Sequence, residues 1–242
     1  MFLPMKMIGL IGGMSWESSV EYYRILNRGV RDRLGPSVSA RCLLWSFDFS
    51  EIEQLQHSND WVGLGQRLAD AARHLEAAGA DALLICTNTM HRVADDVEQA
   101  VSIPLLHIAD PTAARIRAEG YRRVGLLGTA FTMEQDFYTG RLRERHGLDV
   151  LVPDAPDREA VHRIIYDELV AGRLEPASRA VFREVIGRLI AAGAEAVILG
   201  CTEIMLLVRP EDSAVPLFDT TEIHAEAAIA VALDQDQNRV SS

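Results

Sequence analysis

The chain repeats itself, and that constrains its fold more than any other feature. Sliding the sequence by 114 positions lays Ala77-Ala78-Gly79-Ala80-Asp81-Ala82 on Ala191-Ala192-Gly193-Ala194-Glu195-Ala196. At an offset of 116, Met7-Ile8-Gly9-Leu10-Ile11-Gly12-Gly13 matches Arg123-Val124-Gly125-Leu126-Leu127-Gly128-Thr129. Two matches that agree within two residues predict a duplicated α/β unit of about 115 residues. A chain of 242 residues accommodates two such domains. In each copy a short apolar run stops at a polar cluster. Val197, Ile198 and Leu199 precede Gly200-Cys201-Thr202-Glu203, and Ala82 to Ile85 precede Cys86-Thr87-Asn88-Thr89-Met90-His91. Such runs suit parallel strands covered on both faces. Ligands of open α/β sheets bind outside the carboxyl ends of the strands, so the clusters are the expected seat of the chemistry.

The register of the repeat has a chemical consequence. Thr87 falls on Cys201, Asn88 on Thr202, Thr89 on Glu203, and Cys86 on Gly200. Side chains alternate between faces along a strand, so Cys86 and Thr87 are expected to point to opposite sides. The repeat pairs Thr87, not Cys86, with Cys201.

In chain order the pattern predicts strands over 7–11, 40–47, 82–85 and 103–108, then over 124–127, 150–152, 197–199 and 216–218. Helices are expected over 16–33, 60–78, 112–119, 133–144, 158–171, 176–192 and 222–233. Asp110-Pro111 reads as a boundary, because a residue before proline leaves helical space. The expected domains are 1–111 with 220–242, the last helix returning to the first unit, and 112–219. The tail from Asp234 is polar and is expected to fray. The fold class is therefore α/β, with two related domains, each a mainly parallel four-stranded sheet flanked by helices.

Composition narrows the function. A net charge of −11 argues against nucleic acid as a partner. No apolar run approaches the roughly 18 residues of a membrane span. Residues 1–6 lead straight into a strand, without the pattern of a signal peptide. Three scattered cysteines make no disulfide framework, which fits a reduced, cytoplasmic protein. Cys42 reads as a small buried hydrophobe.

The site chemistry is narrowed in the same way. The single lysine, Lys6, precedes the first strand on its amino side, so a pyridoxal Schiff base has no lysine at either cluster. The seven histidines form no HxH or HExxH pattern and no cysteine pair has zinc spacing, so no metal is expected. Gly12-Gly13-Met14-Ser15 could cradle phosphate, but it lacks the dinucleotide spacing and the P-loop lysine. Alternatively, Met14 and Ser15 offer backbone donors to a carboxylate. No histidine stands beside Cys201, and the Gly-x-Ser-x-Gly elbow is absent, which disfavours a hydrolase. Proton transfer at carbon remains, with a thiol whose pKa is expected to be lowered at a helix N-terminus.

At these residues the chain resembles the aspartate/glutamate racemase superfamily. The resemblance rests on Gly12-Gly13-Met14-Ser15-Trp16-Glu17-Ser18-Ser19, Cys86 to His91, Thr132-Met133-Glu134-Gln135-Asp136-Phe137-Tyr138 and Gly200-Cys201-Thr202-Glu203-Ile204, and runs from about residue 6 to 233. The nearest subgroup is that of broad-specificity or L-aspartate/glutamate-type racemases. The resemblance implies two flavodoxin-like halves with the active site in the cleft between them, cofactor-independent inversion at the α-carbon of a small amino acid, and a homodimer. It makes Cys201 and Thr87 the catalytic pair, with Thr87 standing where the family's usual pattern has its first cysteine. A threonine hydroxyl is a far poorer base than a thiolate, so racemization is expected to be slow or biased in direction. Met14, Ser15, Asn88, Thr89, Thr129, Thr132, Thr202 and Glu203 are the expected substrate-binding residues. Glu203 reads equally as favourable charge at a helix N-terminus. Cys86 stays a possible participant. His91 either orients its loop or shifts the site's charge, or is a half-buried histidine capping something local. A distal carboxylate wants an arginine: Arg163, or alternatively Arg41 or Arg92. The competing readings are a single-cysteine arylmalonate-type decarboxylase, a hydantoin racemase, and a binding protein for acidic amino acids.

Overall fold

Strands and helices alternate along the chain, as the duplication predicts. The computed structural model describes residues 5–233. Its strands are β1 (Ile8–Gly12), β2 (Cys42–Ser46), β3 (Ala82–Ile85), β4 (Leu105–Leu106), β5 (Arg123–Gly128), β6 (Asp149–Leu151), β7 (Ala196–Gly200) and β8 (Leu217–Asp219). The helices are α1 (Trp16–Leu34), α2 (Phe49–His57), α3 (Trp61–Ala77), α4 (Ala94–Ala100), α5 (Ala109–Ala118), α6 (Ala130–Glu134), α7 (Asp136–Glu144), α8 (Ala155–Ile164), α9 (Pro176–Ala191), α10 (Ile204–Leu207) and α11 (Thr220–Ala232). None is long and apolar enough to cross a membrane.

The strands form two parallel sheets of the same order, β2-β1-β3-β4 and β6-β5-β7-β8. The registers repeat too. Ile8 stands beside Ala82 in one sheet and Val124 beside Ala196 in the other. Even the acid after the helix-ending glycine recurs in its role. Asp81 Oδ2 accepts the Met7 N–H at 2.6 Å, and Glu195 Oε2 accepts the Arg122 and Arg123 N–H groups at 2.8 and 3.0 Å. In each unit a carboxylate thus ties the amino end of the first central strand to the second.

The chain divides into one unit ending at His107 and resuming at His224, and another spanning Ile108–Ile223. In the first, alternation sends Ile8, Leu10, Ala82 and Leu84 to the face covered by α1 and α11. Ile11, Leu83 and Ile85 go to the opposite face, under α3. The second unit packs a single continuous core around β5 and β7.

Several expected boundaries move. Asp110-Pro111 is no break: both lie in the first turn of α5, where the N–H that proline lacks would have no intrahelical acceptor anyway. The expected helix 133–144 is two helices, interrupted where Gln135 turns extended and closes α6 through its N–H to Phe131 O. The helix expected over 158–171 starts at Ala155 on its Asp154 cap and loosens into a π-type turn over Ile165–Leu169. The strand expected over 103–108 shrinks to Leu105–Leu106. The tail from Asp234 lies outside the described residues.

Candidate active site

The first unit assembles its polar cluster from two strand ends. β1 ends in Gly12 and turns through Gly13, whose φ of +81° is left-handed. A Cβ there would lie 2.3 Å from the Phe47 carbonyl oxygen, so only glycine fits. The Gly13 N–H donates to Ser19 Oγ at 2.7 Å, and that hydroxyl donates to Ser15 O at 3.2 Å. Met14 and Ser15 are buried behind this turn.

Beside it, β3 ends and the chain enters a 3₁₀ turn over Thr89–Val93. Cys86 continues the Ala82, Leu84 face and is 1% exposed, sealed among Tyr22, Leu26 and Ala225. Burial, with Cys42 nearby, pushes its thiol far up, so it stays protonated. Ser18 Oγ donates to the Cys86 carbonyl at 2.7 Å. Thr87 is on the solvent-accessible side, while Asn88 and Thr89 are buried.

His91 is fully buried rather than half-buried. Its Nδ1–H donates to Thr87 O at 2.8 Å. Its ring packs on His107 and His224, with centroids 4.5 and 5.8 Å away. His224 Nε2 donates to Leu106 O, and Tyr22 shares a 2.7 Å hydrogen bond with its Nδ1. The backbone at Thr87 thus rests on a layer of buried imidazoles. No sequence signal announces this layer, because Tyr22 and His224 are 202 positions apart.

The second unit builds the equivalent ends. Thr129 caps α6, its Oγ1 accepting the Thr132 N–H at 3.4 Å and lying 3.2 Å from Thr132 Oγ1. At the end of β7, Gly200 cannot carry a side chain: a Cβ would lie 2.8 Å from Leu126 Cδ1 and from the Leu127 carbonyl oxygen. Cys201 follows, 9% exposed. Its Sγ–H donates to Glu203 Oε2 at 3.0 Å, and Thr202 Oγ1–H donates to the same oxygen at 2.7 Å. Both Thr202 and Glu203 are buried. Burial, then the Glu203 charge and hydrogen bond, hold the Cys201 thiol well above its ordinary value near 9. The Glu203 and Ile204 N–H groups pull the other way and lose. The lowered thiol pKa expected at this helix N-terminus is therefore overturned. Glu203 is more than a favourable charge there, since it is the acceptor for both hydroxyl and thiol.

The three arginines fall in different places. Arg41 sits at the amino end of β2, where its backbone carbonyl accepts the Ile8 N–H, away from the strand ends that carry the clusters. Arg163 is exposed on α8. Arg92 lies on the Thr87 loop, its guanidinium 3.9 Å above the Trp61 ring. Among the described residues no group of His, Cys, Asp and Glu is arranged to hold a metal.

A family model for Asp/Glu/hydantoin racemases matches residues 11–228. The chain belongs to this family. Solved structures similar to this racemase-family chain include a candidate Asp/Glu racemase from Yersinia pestis, 55% identical with a TM-score of 0.89 over 95% of this chain and 100% of that one. An aspartate racemase homologue from Pyrococcus horikoshii is 38% identical, with a TM-score of 0.81 over 94% and 99% of the two chains. Among curated relatives, a broad-specificity amino-acid racemase of Bacillus subtilis is 25% identical over 69% of this chain and 71% of its own length. Membership places this chain among isomerases of the racemase class.

Proposed function

We propose that the protein racemizes an amino acid, aspartate or glutamate foremost, without a cofactor, by removing and returning the α-proton between Cys201 and the Thr87 side. The observation that carries the reading is the buried Cys201–Glu203 hydrogen bond of 3.0 Å at the end of β7. In one direction the thiol proton passes to the Glu203 carboxylate, and the thiolate left behind takes the α-proton. In the other the same steps run in reverse: the thiol gives its proton to the α-carbon, and the thiolate recovers one from the Glu203 carboxyl. The Thr87 hydroxyl serves the opposite face of the carbon. Because an alcohol is a weak base, turnover is slow or favours one enantiomer. Met14, Ser15, Asn88, Thr89, Thr129, Thr132 and Thr202 supply hydroxyl, amide and backbone groups for the substrate's carboxylates and ammonium. Arg92, on the loop that carries Thr87, is the arginine best placed for a distal carboxylate. The protein works as a cytoplasmic homodimer in this reading, a state that sedimentation velocity checks.

The test is deuterium entry at the α-carbon of L- and D-glutamate and aspartate in D2O, alongside loss of optical rotation. Cys201→Ala is expected to abolish exchange. Thr87→Cys is expected to retain or raise it. Cys86→Ala is expected to remain near wild type, since that thiol is sealed in the core. A folded but inactive Cys86→Ala, or exchange surviving in Cys201→Ala, would overturn the assignment.

One observation supports a second reading. The Cys201 Sγ–H, donating to Glu203 at 3.0 Å, is a protonated thiol that can protonate a carbanion from one face without any base, as an arylmalonate-type decarboxylation requires. Carbon dioxide release from malonates, with no exchange from amino acids, would select it.

A further inference from the structure

We infer that His162 is a positioning residue for the reaction: its neutral ring, protonated on Nε2, holds the Thr129–Thr132 turn through the Ala130 N–H. The inference rests on the proposed racemase reading, in which that turn binds substrate. Ala130 N–H donates to His162 Nδ1 at 3.2 Å. A backbone N–H can only donate, so Nδ1 must offer its lone pair, and in a neutral ring the proton then lies on Nε2. A proton added to Nδ1 and this hydrogen bond exclude each other.

The turn needs such an acceptor. α6 has only five residues, and Ala130 is its first, so the Ala130 N–H has no partner within the helix. Thr129 Oγ1 already takes the Thr132 N–H. The first unit holds its strand-end turn one position earlier and with a different group. Gly13, the repeat equivalent of Thr129, donates its N–H to the Ser19 hydroxyl, which does not titrate. One strand-end turn is thus held by an alcohol and the other by an imidazole.

The imidazole is fixed from both sides. α8 begins at the end of β6 and is capped by Asp154, which accepts the Asp157 N–H at 3.1 Å. The His162 ring packs against Tyr166 and Phe131, with centroids 4.7 and 6.3 Å away. The charged groups on the elements packed against α8 are largely engaged with each other. Glu134 of α6 pairs with Arg158 at 2.9 Å, and Arg188 of α9 pairs with Asp157 at 2.5 Å. Arg123, at the amino end of β5, pairs with Asp149 at 3.1 Å. Glu159 and Arg163 on α8 itself are exposed, and Glu168 of the following turn accepts from Ser178.

The decisive experiment compares kcat/KM against pH for wild type, His162→Asn and His162→Leu, with the ring tautomer read by long-range 1H–15N spectra. Wild type is expected to lose activity as pH falls, because a proton on Nδ1 displaces the Ala130 hydrogen bond. His162→Asn places Oδ1 where Nδ1 stood. It is expected to keep most of the activity at pH 8 and to lose this acid limb. His162→Leu is expected to lose about threefold to tenfold at pH 8, the worth of one hydrogen bond, and to approach wild type at acid pH, with its melting temperature recorded to exclude unfolding. An acid limb unchanged in the asparagine variant, a leucine variant equal to wild type, or a ring protonated on Nδ1 at pH 8 would each overturn the inference. If wild type turns over no amino acid, the racemase reading fails by itself. The inference is then decided by the tautomer and by whether the Ala130 amide shift follows the His162 titration.

Discussion

In the proposed reaction activity depends on the Cys201 thiol, and the surroundings of that thiol resist its ionization. Two backbone N–H groups favour the thiolate, yet burial and the Glu203 carboxylate outweigh them. Replacing Glu203 by Gln removes the charge that raises the thiol's pKa while leaving the shape. Alkylation of Cys201 by iodoacetamide at pH 8 should then quicken, by about tenfold for each unit the pKa falls. Racemization should slow in the same variant, because the acceptor for the thiol proton is gone. Equal changes in the two rates would remove Glu203 from the mechanism. Which residue faces which way was legible in the sequence: two-residue alternation puts Cys86 with Ala82 and Leu84 in the core and frees Thr87. The protonation state of Cys201 was not legible. A motif shows the helix N-terminus next to it, whereas the burial that overrides it comes from side chains brought in by tertiary packing.

At the scale of elements, the turns after β1 and β7 are built by close approach of backbone to backbone. Gly13→Ala would combine a left-handed φ with a Cβ 2.3 Å from the Phe47 carbonyl oxygen. Strain of this kind costs on the order of 1–3 kcal/mol, and the contact adds to it. Urea denaturation should show at least that loss, while Gly147→Ala, also at positive φ but with open space around it, should lose less. A similar loss in both would mean that φ alone sets the cost. The strands were legible because each is an apolar run ended by a polar cluster. α2 is not among the expected helices although Asp48 caps it, its side chain accepting the Ser50 N–H at 3.0 Å. Pro111 misled because a proline in a first turn and a proline after a helix look alike in one dimension. The break at Gln135 has no helix-breaking residue to announce it, since hydrogen bonding at the end of α6 decides it.

For the whole molecule, the duplication conserves sheet order, register and the carboxylate that ties strand to strand, while the groups around each copy diverge. One acid-sensitive carboxylate that the first copy does not repeat stands in the second unit. Asp110 receives both Arg141 Nε and Nη2, at 2.7 and 2.6 Å, and His146 Nε2 at 2.9 Å. Partial burial tends to raise its pKa, but these hydrogen bonds and charges outweigh burial and hold it below the ordinary value of 3.8. Glu195, in the repeated strand tie, is lowered by the Arg123 and Arg122 N–H groups. A carboxylate with a lower pKa folded than unfolded contributes stability that is fully present above its unfolded value. That contribution is lost as pH falls through the folded value. Asp110→Asn should therefore cost about 1 kcal/mol at pH 7, a figure kept small because the group is partly exposed. The gap to wild type should narrow between pH 5 and pH 3 as the wild-type carboxylate takes up its proton. Chemical denaturation at pH 7, 5 and 3.5 reads this directly. A gap that stays constant down to pH 3.5 would show that Asp110 acts through its shape and neutral hydrogen bonding rather than through its charge.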